Sequence, residues 1–184
     1  MWFFYLSHVR VKKLKKSATK LTANNLNISA TKTLNLNAAA SIISGTTTIT
    51  GSSASIVSNK DTDLGNVVIV DDSTFTIGTT YTLVDMTGSD LTVGTITGPT
   101  GTTLIPFTTT SAADAASTDK ITVIRDYAEA STLSISGNNA NTYTAATTAT
   151  ITNDTAIYNE MISMTASQID DAVDTMHPNT NGVS

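Results

Sequence analysis

"LTANNLNISATKTLNLNAAASIISGTTTIT", Leu21 to Thr50, is the stretch on which the fold turns. Its apolar centres come in short bursts, Leu26/Ile28, Leu34/Leu36, Ile42/Ile43 and Ile49, and Ile56/Val57 continues the series at intervals of seven or eight residues. Within "LNI" and "LNL" the apolar residues stand two apart, the period of a strand with one face turned inward. Gly45, Gly51 and runs of Ser, Asn and Ala separate the bursts, as turn residues do. A unit this short cannot bury itself, but stacked copies build one continuous core, and such a period marks a β-solenoid. Asn25, Asn27, Asn35 and Asn37 are spaced to form side-chain ladders along the stack.

Further along, residues 64–124 carry longer strand patterns. "NVVIV" (66–70) is a nearly continuous apolar run and reads as buried. "STFTIGTTYTLVD" (73–85) alternates, placing Phe75, Ile77, Tyr81 and Leu83 inward around a turn at Gly78. "DLTVGTITG" and "KITVIRDY" repeat the theme, and the small polar stretch from Thr108 to Thr118 reads as a loop. From Ser131 to residue 152 the strand signal weakens, with Leu133, Ile135, Tyr143 and Ile151 as its apolar centres.

Two helices follow. Asn153 or Asp154 is placed to cap "TAIYNEMIS". In the second, Thr165 and Gln168 have the spacing of a capping box, with Met164 and Ile169 as its hydrophobic staple. Ile169, Ala172, Val173 and Met176 fall on one face. Asp170 and Asp171 lie early in the helix, where its dipole favours negative charge, and Pro178 ends it. The organisation expected is therefore a basic leader over 1–20, a β-solenoid over 21–152, a helical linker over 153–178 and a tail over 179–184. The fold class is all-β: an elongated, right-handed β-helix with a short C-terminal α-helical segment.

Composition agrees with a strand-rich reading. Thr makes up about a fifth of the 184 residues, and Thr suits a pleated, half-solvated strand. Only 5% of residues are aromatic, so burial must come from stacked Ile, Val and Leu. Six of the ten basic groups, Arg10, Lys12, Lys13, Lys15, Lys16 and Lys20, crowd into the first twenty residues without an acid. The remainder sets four basic groups against fifteen acids, which excludes nucleic-acid binding by counterion release. "MWFFYL" precedes "RVKKLKK", the reverse of the order in a secretion signal, and no apolar run is long enough to span a bilayer. No Cys is present.

Catalytic parts are scarce. His8 and His177 are the only histidines, one in the basic leader and one beside Pro178, so neither a Ser-His-Asp triad nor a two-histidine metal site can be assembled. The sequence contains neither a nucleophile elbow nor a phosphate-binding loop. Asp61, Asp63 and Asp72 match positions 1, 3 and 12 of a calcium loop, but Gly65 stands at position 5 where the motif needs glycine at 6, and "VVIV" is strand. They are weak calcium ligands on this reading and better solvated turn residues. Asp71 and Asp72 are adjacent, so in a strand they point to opposite faces and make no facing carboxylate pair. The chain is thus read as a non-enzyme without a cofactor.

"TFTIGTTYTLVD", "LTVGTITG", "DKITVIRDYAE" and "SMTASQIDDAVDTMHP" together resemble the last passenger rungs and linker of autotransporters, the type V secretion proteins. Met164, Thr165, Gln168, Ile169, Ala172, Val173, Asp174, Met176, His177 and Pro178 fit the linker pattern, and the likeness covers roughly the second half of the chain. The resemblance implies a bacterial cell-surface or outer-membrane protein whose linker threads a C-terminal β-barrel, and whose stem serves display, adhesion to a host surface or glycan, and secretion-coupled folding. The barrel strands are missing after Pro178, so the chain is expected to be a fragment of such a protein. A second reading is a trimeric β-helical needle or fibre of the phage-baseplate or secretion-spike kind, since Leu26, Leu34 and Ile42 keep a spacing of eight. A β-helical polysaccharide enzyme is a third, without an identifiable carboxylate cluster.

Overall fold

A computed structural model describes residues 15–17, 20–29, 31–112, 119–150 and 154–176. Leader residues 1–14, the C-terminal residues from His177, Asn153 and Ile151 lie outside these. The chain forms two units. The first runs to Thr100 and resumes over Phe107–Arg125; the second takes Gly101–Pro106 and the residues from Asp126 onward.

The first unit is built from strands. Each of its first three passes lays down three of them: β2 (Lys20–Ala23), β3 (Leu26–Ser29) and β4 (Thr33–Asn35); β5 (Ala40–Ile43), β6 (Thr46–Thr50) and β7 (Ser55–Ser58); β8 (Thr62–Asp63), β9 (Asn66–Val70) and β10 (Thr79–Met86). Short β11 (Leu91–Thr92) and β12 (Ile96–Thr97) follow, then β13 (Phe107–Ala112) and β14 (Lys120–Arg125), while β1 (Lys15–Ser17) precedes them all. Strands three apart in sequence pair in parallel. They give three sheets of order β1-β2-β5-β8-β11, β3-β6-β9-β12 and β4-β7-β10-β14-β13, and only the outermost pairings, β1 on β2 and β14 with β13 beside β10, are antiparallel.

The spacing of eight in the sequence is therefore the step from one sheet to the next. The step from strand to paired strand is longer: Lys20 faces Ala40, Leu26 faces Thr47 and Thr33 faces Ser55, offsets of 20, 21 and 22. Later the offset reaches 29, as between Asn66 and Thr95, because residues 71–78 are added ahead of β10.

Inward positions stack in columns. Ile28, Ile49 and Ile69 lie in register, as do Leu34, Ile56, Val84 and Ile121. All but Leu34 are at most 2% exposed, and each buried aliphatic side chain contributes about 1.5–3 kcal/mol. In the column Leu26–Thr47–Val67 the one polar member is satisfied, since the Thr47 hydroxyl donates to the Leu64 carbonyl at 2.7 Å. "NVVIV" does not bury both faces. Val67 and Ile69 face the core, while Val68 is half-buried and Val70 is 40% exposed, because each sheet has only one inward side.

The corner between the first and second sheets brings backbone against backbone. Gly45, Gly65 and Gly94 occupy it in successive passes, with Asn66 N donating to Gly45 O at 2.9 Å and Gly94 N to Gly65 O at 2.7 Å. A Cβ on Gly45 would meet Asn24 O and Asn25 Oδ1 at 2.5 Å, and one on Gly65, whose φ is +61°, would fall on the carbonyl oxygen of Gly45. The asparagines bridge passes through side-chain-to-backbone bonds. Asn25 Oδ1 accepts from Thr46 N at 2.9 Å, Asn66 Oδ1 from Thr95 N at 3.0 Å, and Asn37 Oδ1 from Asn59 N at 2.6 Å. Asn35 instead closes a local turn onto Asn37 N, and Asn27 is exposed on an outer face.

Two further expectations are corrected. Thr108–Ala112 is strand, not loop: it extends β13 in unbroken antiparallel register with β14, from Phe107 opposite Arg125 to Ala112 opposite Lys120. Residues 137–150, expected as weak strand, are helical. Tyr143, Ala146 and Thr147 are buried at spacings of three and four, the helical period. The threonines bond back along the helix, Thr144 to Ala140 O, Thr147 to Tyr143 O and Thr148 to Thr144 O.

The second unit is mainly helical. It comprises α1 (Gly137–Ala145), which continues as a π-helical turn over Ala146–Thr150, then α2 (Thr155–Met161) and α3 (Ala166–Thr175). Tyr143 is 2% exposed and its phenol donates to Ala128 O at 2.7 Å. Burial and the nearby charge of Glu129 push its pKa up to about 12. Among the described residues no helix is long and apolar enough to cross a membrane.

Candidate functional site

The three candidate calcium ligands do not converge: Asp61 precedes β8, Asp63 ends it and Asp72 follows β9, and each accepts from a backbone amide. Asp61 Oδ1 accepts from Asp90 N at 3.4 Å, Asp63 Oδ1 from Gly65 N at 2.9 Å, and Asp72 Oδ1 from Thr74 N at 3.2 Å. Asp71 likewise accepts from Ser73 N at 2.7 Å. Among the described residues no group of three or more His, Asp or Glu is gathered as a metal would need.

In the C-terminal helix the motif residues take defined roles. Thr165 accepts from Gln168 N, and the Gln168 side chain returns to Thr165 N at 2.9 Å, closing the capping box. Ile169 and Val173 are fully buried; Met164, Ala172 and Met176 are half-buried, and Met176 is the C-cap. Pro178 lies outside the described residues. Helix α3 packs on α1, with Asn139 Nδ2 donating to Asp170 Oδ1 at 3.1 Å. Asp154, not Asn153, caps α2, accepting from Ala156 N at 2.9 Å and Ile157 N at 3.2 Å.

A cluster that the sequence does not announce lies where residues 71–78 meet the end of the third sheet. Phe75 is 2% exposed and stands edge-on to two rings, Tyr81 at 5.3 Å and Phe107 at 5.5 Å between centroids. Arg125 lies over the Phe107 ring, 5.6 Å from its centroid, an attraction worth about 0.5–2 kcal/mol. Strand register explains the meeting. Arg125 is directly opposite Phe107 on β13 and Thr79 on β10, and opposed residues project from one side of a sheet.

The guanidinium is poorly satisfied. Its Nη1 reaches the Phe75 carbonyl only at 3.5 Å, its Nε is buried without an acceptor, and among the described residues no carboxylate pairs with it. A buried donor without a partner costs about 1–3 kcal/mol. Next to it, the Tyr81 oxygen accepts from Thr76 N at 3.2 Å, and the Thr76 hydroxyl and amide together lower its pKa. Phe75 and Tyr81 were legible as inward residues. Arg125 and Phe107 were not, since the β10–β14 and β13–β14 pairings together bring them to Phe75, with Arg125 and Phe75 meeting across 50 residues of sequence.

No protein-family model matches the chain, and no curated protein or solved structure matches it either.

Proposed function

We propose that this chain is a non-enzymatic stem of a bacterial surface protein, of the autotransporter-passenger kind. Its three parallel sheets would be the faces of a right-handed β-solenoid, and its capped helix α3 would lead to a membrane barrel. The observation that carries the reading is the pairing of every third strand within one chain, which gives a stack that lengthens by adding passes. Antiparallel β14 and β13 close the third sheet at the far end, as a stem terminus requires.

The test is surface display. The chain, carrying an N-terminal epitope behind a secretion signal, is fused to a heterologous autotransporter barrel. Epitope exposed on intact cells and removed by added protease is the expected result. Ile169→Asp, which places a charge in the buried face of α3, should abolish it. Retention of the wild-type fusion in the periplasm, while the barrel exports its own passenger, would refute the proposal. The mass of the free chain separates the second reading: a solenoid is monomeric, an intertwined needle trimeric.

A further inference from the structure

We infer that Arg125, Phe107 and Tyr81 form a binding site for a sugar acid, a pyranose ring bearing one carboxylate. The site stands on its own geometry and holds whether or not the chain is a stem. Arg125 supplies the anion-binding element: its donors have one long bond of 3.5 Å to Phe75 O and no carboxylate partner among the described residues. The guanidinium carbon already rests over the Phe107 ring, 5.6 Å from its centroid, so less side-chain freedom is lost when a carboxylate docks on the guanidinium.

The surroundings select a sugar over a bare anion. Tyr81 and Phe107 are half-buried rings that leave apolar surface for the C–H face of a pyranose. Thr76 and Thr79 are exposed beside them, their hydroxyls turned to the Tyr81 oxygen. Because the Tyr81 oxygen already accepts from Thr76 N, its O–H remains to donate. Charge then limits the ligand to one anionic group. Beyond the leader, Lys32, Lys60, Lys120 and Arg125 face fifteen acids, and a polyanion would be repelled.

The full chain, labelled with 15N, is titrated with D-glucuronate, N-acetylneuraminate, glucose and acetate while the Arg125 Nε–H and the amides of Tyr81 and Phe107 are followed. A saturable shift with either sugar acid in the millimolar range, absent with glucose and acetate, is the expected result. Glucuronate as the better ligand points to a single uronic acid set among neutral sugars, N-acetylneuraminate to a terminal residue. Arg125→Gln should weaken binding at least about tenfold, Arg125→Lys should recover part of it, and Tyr81→Phe should weaken it severalfold with the fold intact by circular dichroism. Absence of a saturable shift, equal response to acetate, or binding that survives Arg125→Gln would overturn the assignment.

Discussion

Replacing Gly65 by alanine tests the glycine corner directly. At φ +61° an L residue loses about 1–2 kcal/mol relative to glycine. The added methyl also meets two backbone oxygens, Gly45 O and, at 2.6 Å, Ile43 O, neither of which can swing aside as a side chain would. Overpacking of this kind costs about 1–3 kcal/mol, so the total is about 2–5 kcal/mol against the 5–15 kcal/mol that holds a typical domain. Gly88 is the control, with φ +72° but nothing within 4 Å of its would-be methyl. Gly88→Ala therefore suffers the conformational term alone. For a chain of this length 1 kcal/mol moves Tm by about 2–4 °C. Gly65→Ala should melt on the order of 10 °C below the parent and Gly88→Ala only a few degrees below. Thermal and urea unfolding followed by circular dichroism at strand wavelengths measure the gap. Equal losses in the two variants would show that the passes are not in contact at this corner.

Ile49→Ala removes a fully buried member of the Ile28–Ile49–Ile69 column and should cost about 2–5 kcal/mol, read as a lower urea midpoint at unchanged slope. Thr165→Ala removes the acceptor for Gln168 N and should destabilise α3 by about 1 kcal/mol, seen as roughly fivefold faster amide exchange over residues 166–169, with Thr165→Ser close to the parent. Tyr143 gives a pH signature. Its folded pKa of about 12 exceeds the ordinary 10.0, so between those values the unfolded chain has released a proton that the folded chain retains. Stability contributed here is full below pH 10 and falls by up to about 3 kcal/mol as pH rises to 12. Denaturation at stepped alkaline pH should show that slope in the parent and a shallower one in Tyr143→Phe, and equal slopes would contradict the burial of the phenol.

Strand positions were legible because alternation and turn residues are local properties. Leu26 and Ile28 face inward as their spacing of two requires, and Thr165 with Gln168 closes its cap because a capping box spans four residues. Sheet membership was less legible. A spacing of eight reports where the next strand begins, not which strand it pairs with, and the pairing offset of 20–22 emerges only when three strands are counted together. "NVVIV" misled because an unbroken apolar run fits a strand buried on both sides, whereas β9 has one side in solvent. Residues 137–150 misled because Thr favours strands on average, yet its hydroxyl can return to a carbonyl four residues back in a helix. The Arg125 cluster was least legible of all, being assembled from residues 75, 81, 107 and 125 by tertiary pairing alone.

Residues 71–78 lengthen one pass while the pairings on either side keep their order: β9 still lies on β6, β12 on β9, and β10 on β7. Extra chain is thus absorbed at a single edge of the stack, and it is this extra chain that supplies Phe75. The exposed part of that segment, Asp71 to Thr74, can therefore vary or accept a graft while the ladders beneath stay as they are, provided Phe75 keeps its place in the core. Such a position uncouples variation in the length of the chain from the maintenance of the scaffold.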